Sequence, residues 1–384
     1  MIKTAADFNN LPIHLTYDDV LLAPGYSDFT RQDIDLSTKV SRNISIKNPL
    51  VSAPMDTVTE SKLAVALAKT GGLGIIHRNL TIKDQVKQVS EVLKQNLLVG
   101  AAVGSSNGYE KRIEALLEVK IPLIVIDSAH GYCKSVIEAI KFVKKKSPRT
   151  EVMAGNIATY EGAQALIKAG ADSLRVGMGP GAICTTRIIS GMGMPQLTSI
   201  VETARAGREA GVPVIADGGI RYSGDMVKAL AAGANAVMMG SYFASCLESP
   251  GEYFTIKKEQ IPFNFRHLIK LGIDEYTFKT YRGMGSQGAM KKGAAIKSEA
   301  EFHGKNYKDR VLVAEGVDAM VPVKGSVKEI VDQALGGIKS GFYYVGCKTI
   351  GDLQQNARFI RITDASLKES HPHDLIITDP GKNY

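Results

Sequence analysis

The chain has 384 residues with a formal net charge of +8, and 44% of its residues are hydrophobic. This length fits about two or three average domains or one large α/β barrel, and no apolar run reaches the roughly 18 residues of a membrane span. The positive charge is spread along the chain without a module of aromatic and basic residues, so we expect a phosphorylated small substrate and no specific nucleic acid.

The four cysteines lie far apart and include no CxxC pair, and the histidines show no HxxxH spacing. This pattern argues against a disulfide framework and a zinc site, and it is typical of a reducing compartment. The N-terminal residues lack the apolar core of a signal peptide. We therefore expect a cytoplasmic protein that is not bound to a membrane.

Short apolar runs rich in Val, Ile and Leu alternate with amphipathic helical patterns from residue 50 to residue 240. Such runs indicate a parallel sheet covered on both faces, and eight units over about 200 residues indicate a (β/α)8 barrel. The predicted strands are 50–55, 73–77, 97–103, 123–127, 152–156, 173–177, 213–217 and 236–240. The predicted helices include 61–70, 110–119, 160–169, 200–210 and 223–232.

Polar or glycine residues end five of these strands, namely Asp127, Asn156, Gly177, Asp217 and Gly240. In a (β/α)8 barrel the carboxyl ends of all strands meet at the active-site face. A single residue of this kind is usually a turn former. Several in successive units predict a shared site.

Residues 176–187 place three glycines, a proline, a thiol and two threonine hydroxyls directly after a predicted strand. Glycines at this spacing let the backbone turn its N–H and C=O groups toward a bound ion or phosphate. A thiol at the end of such a loop is held in an oriented, polar environment. We predict that Cys184 attacks a carbon of the ligand with Thr186 beside it; the alternative is a buried cysteine next to a turn.

The last two predicted strands end in Asp217-Gly218-Gly219 and Gly240-Ser241. In this fold the loops after strands seven and eight commonly hold a phosphate on backbone N–H groups. Asp217 would then accept hydrogen bonds from ribose hydroxyls, although a turn or N-cap aspartate is the alternative.

A cysteine that forms a covalent adduct needs a partner that accepts electrons, and the chain shows no haem, flavin or metal motif. We therefore expect a diffusible nicotinamide cofactor. No GxGxxG follows the first strand, so the dinucleotide must be held without a Rossmann unit. Asp127 and Ser128, at a strand end, are the candidates for its ribose.

Two stretches fall outside the barrel period, 249–310 and the tail after Ala357. The first holds a charged insert at 252–278 and then a polar, lysine-rich part from 291 that predicts a mobile lid. We expect a single barrel domain over 1–384 that carries an insert and flap at 252–315.

The runs at 177–187, 217–225 and 281–286 resemble the inosine-5'-monophosphate (IMP) dehydrogenase / GMP reductase family, and the resemblance extends from about Leu15 to the C-terminus. It implies that Cys184 attacks C2 of the purine and that hydride passes between C2 and nicotinamide. As a dehydrogenase the protein would use NAD to oxidise IMP to XMP in guanine nucleotide biosynthesis.

The resemblance also implies roles for further residues. The phosphate would lie on Gly219, Gly240 and Ser241, the ribose on Asp217, and the purine on Met284 and Gly285, with Glu315 at its N1 edge. The full substrate set is Asn156, Arg175, Asp217, Gly218, Gly219, Gly240, Ser241, Tyr281, Gly283, Met284, Gly285 and Glu315. The cofactor set is Asp127, Ser128, Gly177 and Gly179.

Dehydrogenases of the family hold a potassium ion on carbonyls of the cysteine loop, here residues 176–187, and of a neighbouring subunit's tail, which implies a homotetramer. The matching positions are Gly179, Gly181 and Cys184, with Glu369, Ser370 and His371. The family commonly carries two CBS modules after the second strand. Only 81–96 separates the second and third predicted strands here, so we expect the modules and their regulation to be absent.

The chain departs from the family pattern in three places. Ala182 and Ala53 stand where serines are common, and the first would cost a contact near the phosphate. The dehydrogenases carry an Arg-Tyr pair in the lid that activates water, and no such pair occurs between Met290 and Glu315. The nearest candidates are Tyr307 and Arg310.

Three functions follow from these features. The long lid and the Glu-Ser-His-Pro-His-Asp tail favour the dehydrogenase. The missing Arg-Tyr pair favours a GMP reductase, in which NADPH would deliver hydride and Cys184 would displace ammonia from GMP. The third is a catalytically weak nucleotide-binding protein that has kept the pocket.

Overall fold

The computed structural model describes residues 10–262, 265, 269, 272–296, 313–375 and 377, and its centre is a closed barrel of eight parallel strands. Each barrel strand pairs with the next in the chain, and the eighth closes on the first. The predicted (β/α)8, or TIM-barrel, fold is therefore confirmed. The strands are β1 Val20–Leu22, β2 Thr38–Lys39, β3 Ser45–Ile46, the barrel strands β4 Leu50–Ser52, β5 Leu73–Ile76, β6 Val99–Val103, β7 Leu123–Asp127, β8 Glu151–Ile157, β9 Ser173–Val176, β10 Val214–Asp217 and β11 Ala236–Met239, and then β12 Tyr253–Lys257, β13 Glu275–Arg282, β14 Asp318–Pro322 and β15 Phe359–Arg361.

Helices follow the barrel strands and pack around the outside of the barrel. They are α1 Ser61–Lys69, α2 Ile82–Leu93, α3 Tyr109–Glu118, α4 Lys134–Lys146, α5 Tyr160–Ala169, α6 Thr186–Ser190, α7 Gln196–Ala210, α8 Ser223–Ala231, α9 Ser241–Ala244, α10 Gln287–Ala295, α11 Val327–Val345, α12 Ile350–Asn356 and α13 Asp364–Glu369. Short 3-10 helices lie at Tyr17–Asp19, Arg31–Asp33 and Lys258–Gln260.

Two apolar layers stabilise the barrel, one inside it and one between its strands and the surrounding helices. Because both faces of each strand are buried, the strands read as continuous apolar runs, which is why they are visible in the sequence. The inner layer consists largely of Val51, Leu73, Ile75, Ala102, Leu123, Val125, Met153, Ile215 and Met238.

Two predicted bounds differ from the structure by three or more residues, and each lies at a proline. β4 ends at Ser52 rather than at residue 55, because Pro54 has no N–H with which to continue a strand ladder. α7 begins at Gln196 rather than at residue 200, with Pro195 as its N-cap. The apolar periodicity became clear only one turn into this helix.

The region predicted as an irregular insert and lid contains more regular structure than expected. β12, β13 and β14 form a three-stranded antiparallel sheet, and α10 follows β13. The sheet escaped prediction because β13 pairs with a strand that begins at Asp318, far along the chain. Residues 297–312, which include most of the predicted lid, lie outside the described residues.

The two ends of the described chain meet, because β1 pairs antiparallel with β15. This pairing places the tail beside the barrel. Within the described ranges, no helix combines the length and apolar character needed to cross a membrane.

Candidate active site

Charged and polar side chains from four neighbouring strand ends form one hydrogen-bonded network at the carboxyl face of the barrel. Arg175 of β9, only 7% exposed, pairs with Asp127 of β7 and donates from Nε to Asp217 Oδ2 of β10 at 2.9 Å. Asn156 donates to the same Asp217 oxygen at 2.8 Å and to the carbonyl of Gly177 at 2.8 Å. Four of the five predicted strand-end residues, all except Gly240, therefore lie together in this network.

The carboxylate of Asp127 is held ionised by cations. Burial would raise its pKa, but Arg175 and Arg78 outweigh burial and lower it from the usual value. Arg78, whose Nε donates to Asp127 Oδ2 at 3.1 Å, follows β5 and has no role in the sequence-based prediction. The adjacent Ser128 is fixed through its backbone, which accepts from the N–H of Asn156 at 2.7 Å.

Cys184 lies at the start of a short chain of hydrogen bonds. Its thiol donates to Thr186 Oγ1 at 3.2 Å, and that hydroxyl donates to Glu315 Oε2 at 2.9 Å. Thr186 is buried and begins α6, whereas Cys184 is half-buried. A thiol, a hydroxyl and a carboxylate in line provide a path along which a proton can leave the sulfur.

The cysteine loop is held in shape by Arg187. Its guanidinium donates to the carbonyls of Met178 at 3.2 Å and Met194 at 2.6 Å, and its side chain passes against Gly179 and Gly193. A Cβ on Gly179 would lie 2.5 Å from Arg187 Cγ, and the φ of this glycine is +82°. Only glycine fits such a close approach in the left-handed region. Arg187 was not predicted as a site residue.

Glu315 lies on a strip of backbone, residues 315–317, between the two loops predicted to meet the base. On one side the strip bonds the cysteine loop, where Glu315 O accepts from Thr185 N at 3.1 Å. On the other side Glu315 N donates to Gly285 O at 3.1 Å, and Gly283 N donates to Val317 O at 3.1 Å. Cys184 and the predicted purine loop are therefore fixed relative to each other.

The predicted purine loop, 281–286, is anchored to the first barrel loop by an ion pair. Arg282 Nε donates to Asp56 Oδ1 at 3.0 Å, and Asn79 donates to Asp56 Oδ2 at 2.8 Å. Burial would raise the pKa of Asp56, but Arg282 lowers it overall. Met284 follows this anchored arginine by two residues.

The two glycine loops predicted to hold a phosphate also face the described site. Gly218 and Gly219 have φ of +89° and +76°, and a Cβ on Gly218 would lie 3.3 Å from the Gly181 nitrogen. A Cβ on Gly240 would lie 2.6 Å from the hydroxyl oxygen of Tyr281, and that hydroxyl accepts from the Ser241 backbone. These loops thus border both the cysteine loop and Tyr281.

The tail predicted to hold potassium lies beside the loop after β10. The His371 ring is 6.1 Å from the ring of Tyr222, and Glu369 and Ser370 end α13. The structure contains one chain, so their role across subunits stays a prediction. The two lid candidates, Tyr307 and Arg310, lie outside the described residues.

Residues 14–373 match the family model described as IMP dehydrogenase / GMP reductase domain. The chain belongs to this family. Among curated family members, the inosine-5'-monophosphate dehydrogenase of Borreliella burgdorferi is 40% identical over 94% of this chain and 97% of its own length.

Two further members of the IMP dehydrogenase / GMP reductase family are similar over nearly the whole chain. The proteins of the same name from Halalkalibacterium halodurans and Aquifex aeolicus are each 36% identical over 96% of this chain, and they are covered over 98% and 97% of their length. These alignments span 496 and 498 positions, more than the 384 residues of this chain. Both relatives therefore carry additional residues.

Proposed function

We propose that the protein is an NAD-dependent oxidoreductase that oxidises IMP to XMP, a step in guanine nucleotide biosynthesis. The observation that carries the proposal is a sequence identity of 36 to 40% with proteins named inosine-5'-monophosphate dehydrogenase, over 94 to 96% of the chain. The hydrogen-bonded chain from Cys184 through Thr186 to Glu315 supplies the chemistry that this reaction requires.

Cys184 begins the reaction. Its sulfur forms a bond to C2 of the purine, and hydride then leaves C2 while the sulfur stays attached. NAD, a co-substrate, supplies the hydride acceptor. Water next adds at C2 and the carbon–sulfur bond breaks, which gives XMP and returns the thiol.

Thr186 and Glu315 move the protons that these steps release. The Thr186 hydroxyl contacts both the thiol and the carboxylate, so it can pass the thiol proton to Glu315. The same pair can take a proton from the water that attacks C2. We propose this relay as the route that offsets the missing Arg-Tyr pair, with Tyr307 and Arg310 as the alternatives.

The remaining site residues hold the substrate. Asp217, fixed by Arg175 and Asn156, presents its carboxylate to the ribose hydroxyls. Asn156 Oδ1 is buried and has no hydrogen-bond partner among the described residues, which fits an acceptor for a ligand donor. Backbone N–H groups at Gly219, Gly240 and Ser241 receive the phosphate, and the Gly283–Gly285 backbone receives the base.

We also propose a potassium ion on the carbonyls of Gly179, Gly181 and Cys184, completed by the tail of a second copy. The cysteine loop fits such an ion chemically, because its glycines leave backbone carbonyls as the donors and hard cations prefer oxygen ligands. The CBS modules of the family are absent in this proposal, since α2 alone connects β5 to β6.

A GMP reductase is the second candidate, and the missing Arg-Tyr pair favours it. The test follows reduced nicotinamide by absorbance in two reactions, IMP with NAD and GMP with NADPH. A rise in the first with XMP formed supports the dehydrogenase. A fall in the second with ammonia released would replace it with the reductase.

The Cys184→Ala variant separates both enzymes from a binding protein. We expect it to abolish turnover while IMP still binds, because the pocket keeps its other contacts. Wild-type protein that binds IMP but turns over neither substrate would support the binding protein instead.

A further inference from the structure

Lys279 of β13 is a buried lysine, 0% exposed, that the reaction does not use. Its ammonium donates to Cys246 O at 3.0 Å, to Ser249 Oγ at 2.7 Å and to Ser249 O. It also lies 4.7 Å from the ring centroid of Tyr253. Lysines are almost never fully buried unless they are paired, and these three acceptors satisfy all three N–H groups.

The acceptors belong to the loop after β11, the eighth strand of the barrel. We call residues 240–249 the strand-eight loop. The loop starts at Gly240 and Ser241, the proposed phosphate contacts, and Lys279 contacts its far end. Ser249 Oγ extends the contact inward, because its single O–H is shared between Ala244 O and Cys246 O, both at 2.8 Å. One lysine therefore fixes the end of the loop and, through Ser249, its middle.

The start of the strand-eight loop is fixed by the same strand. Tyr281 follows Lys279 by two residues, so both side chains project from one face of β13. The Tyr281 hydroxyl accepts from the Ser241 backbone and lies against Gly240. β13 thus holds the loop at both ends, with Tyr281 at the phosphate side and Lys279 at the other.

We propose that Lys279 is a positioning residue for the substrate phosphate. By holding the far end of the strand-eight loop, Lys279 sets the distance between the loop and Tyr281 that phosphate binding requires. The inference rests on the proposed function, since it assumes a nucleotide phosphate at Gly240 and Ser241. The inference adds Lys279 to the residues on which substrate binding depends, although Lys279 does not contact the nucleotide.

The charged state of Lys279 gives the proposal a signature. Burial lowers the pKa of Lys279 to about 8, Lys62 of α1 acts in the same direction, and Glu248 opposes them. Burial also raises the pKa of the Cys246 thiol, so this group stays neutral. Above about pH 8 the neutral amine has only two N–H groups for three acceptors, so the loop should loosen as pH rises.

The experiment measures the dissociation constant of IMP without NAD, from about pH 7 to about pH 9. For wild-type protein we expect affinity to fall several-fold across this range. The Lys279→Met variant should bind IMP about tenfold more weakly at pH 7 and show no such fall, because it lacks the titrating group. Its kcat at saturating IMP should stay close to wild type while KM rises.

The matched control is Lys257→Met, which removes an exposed lysine from the same sheet and should change neither value. Ser249→Ala removes one acceptor and serves if Lys279→Met does not fold; we expect an intermediate loss of affinity and a smaller pH effect. Unchanged IMP affinity and pH profile in these variants would overturn the inference. A wild-type protein that does not bind IMP would overturn the proposed function itself, and the inference with it.

Discussion

Thr186 has the most direct part in the proposed proton relay, because its hydroxyl links the Cys184 thiol to Glu315. Thr186→Val keeps the side-chain shape and removes the hydroxyl. We expect kcat for IMP oxidation to fall by about a hundredfold or more, in the range of general acid–base effects, with little change in KM. Steady-state kinetics measures both values.

The control for this prediction is Thr255→Val, an exposed threonine of β12 far from the thiol. It makes the same chemical change and should leave kcat unchanged. A Thr186→Val enzyme with wild-type kcat would show that protons leave by another route, and Tyr307 and Arg310 would then be the residues to replace.

Ala182 tests the phosphate site, because the resemblance places a common family serine at this position. The side chain is exposed beside the cysteine loop, so a hydroxyl can be added without a clash. We expect Ala182→Ser to lower KM for IMP about fivefold, the effect of one net hydrogen bond of about 1 kcal/mol. An unchanged KM in steady-state assays would show that the phosphate lies elsewhere.

The sequence was sufficient to predict contacts between site residues that are close together along the chain. Cys184 and Thr186 are two positions apart, and their hydrogen bond follows from the local turn. Arg78 and Arg187 were missed as site residues. Arg78 acts on Asp127, far along the sequence, and Arg187 folds back on glycines whose close approach only the structure shows.

At the scale of elements, the barrel was predictable because every strand is buried on both faces and carries a continuous apolar run. The sheet of β12, β13 and β14 was not, because its strands mix polar and apolar residues and several side chains remain exposed. Its pairing also depends on a long sequence separation, which no local pattern encodes. The strand that carries Lys279 and Tyr281 belongs to this unpredicted sheet.

A partly buried ion pair at the amino-terminal face of the barrel should contribute to stability and not to catalysis. Asp172, just before β9, accepts from Lys144 of α4 at 2.7 Å and from Val152 N of β8 at 2.9 Å. Asp172→Ala leaves both donors without this partner, so we expect it to lower the free energy of unfolding by about 2 kcal/mol. Urea unfolding measures the loss, and kcat should not change because the active site is at the opposite face.

The control for Asp172 is Lys146→Met, which breaks the exposed pair between Lys146 and Glu114. Exposed pairs contribute little, so the loss should stay below about 1 kcal/mol. Equal losses for the two variants would contradict the argument that burial makes the Asp172 pair the stronger one.

At the scale of the whole molecule, the proposed potassium site and the proposed tetramer depend on each other. If the ion lies between the cysteine loop of one copy and the tail of another, it can bind only in the assembled protein. We therefore expect higher rates in potassium than in sodium, and a solution mass of at least four chains by light scattering.

The dependence itself can be tested by deleting part of the tail. Deleting residues 369–371 keeps the catalytic side chains of the same copy and removes the tail carbonyls, so its effect should reach only the ion and the association. We expect the difference between potassium and sodium rates to disappear while IMP still binds, because the ion loses the tail oxygen ligands that a hard cation requires. A monomeric wild-type protein with full activity, or equal rates in both salts, would remove the shared site and leave Cys184, Thr186 and Glu315 of a single chain as the complete catalytic unit.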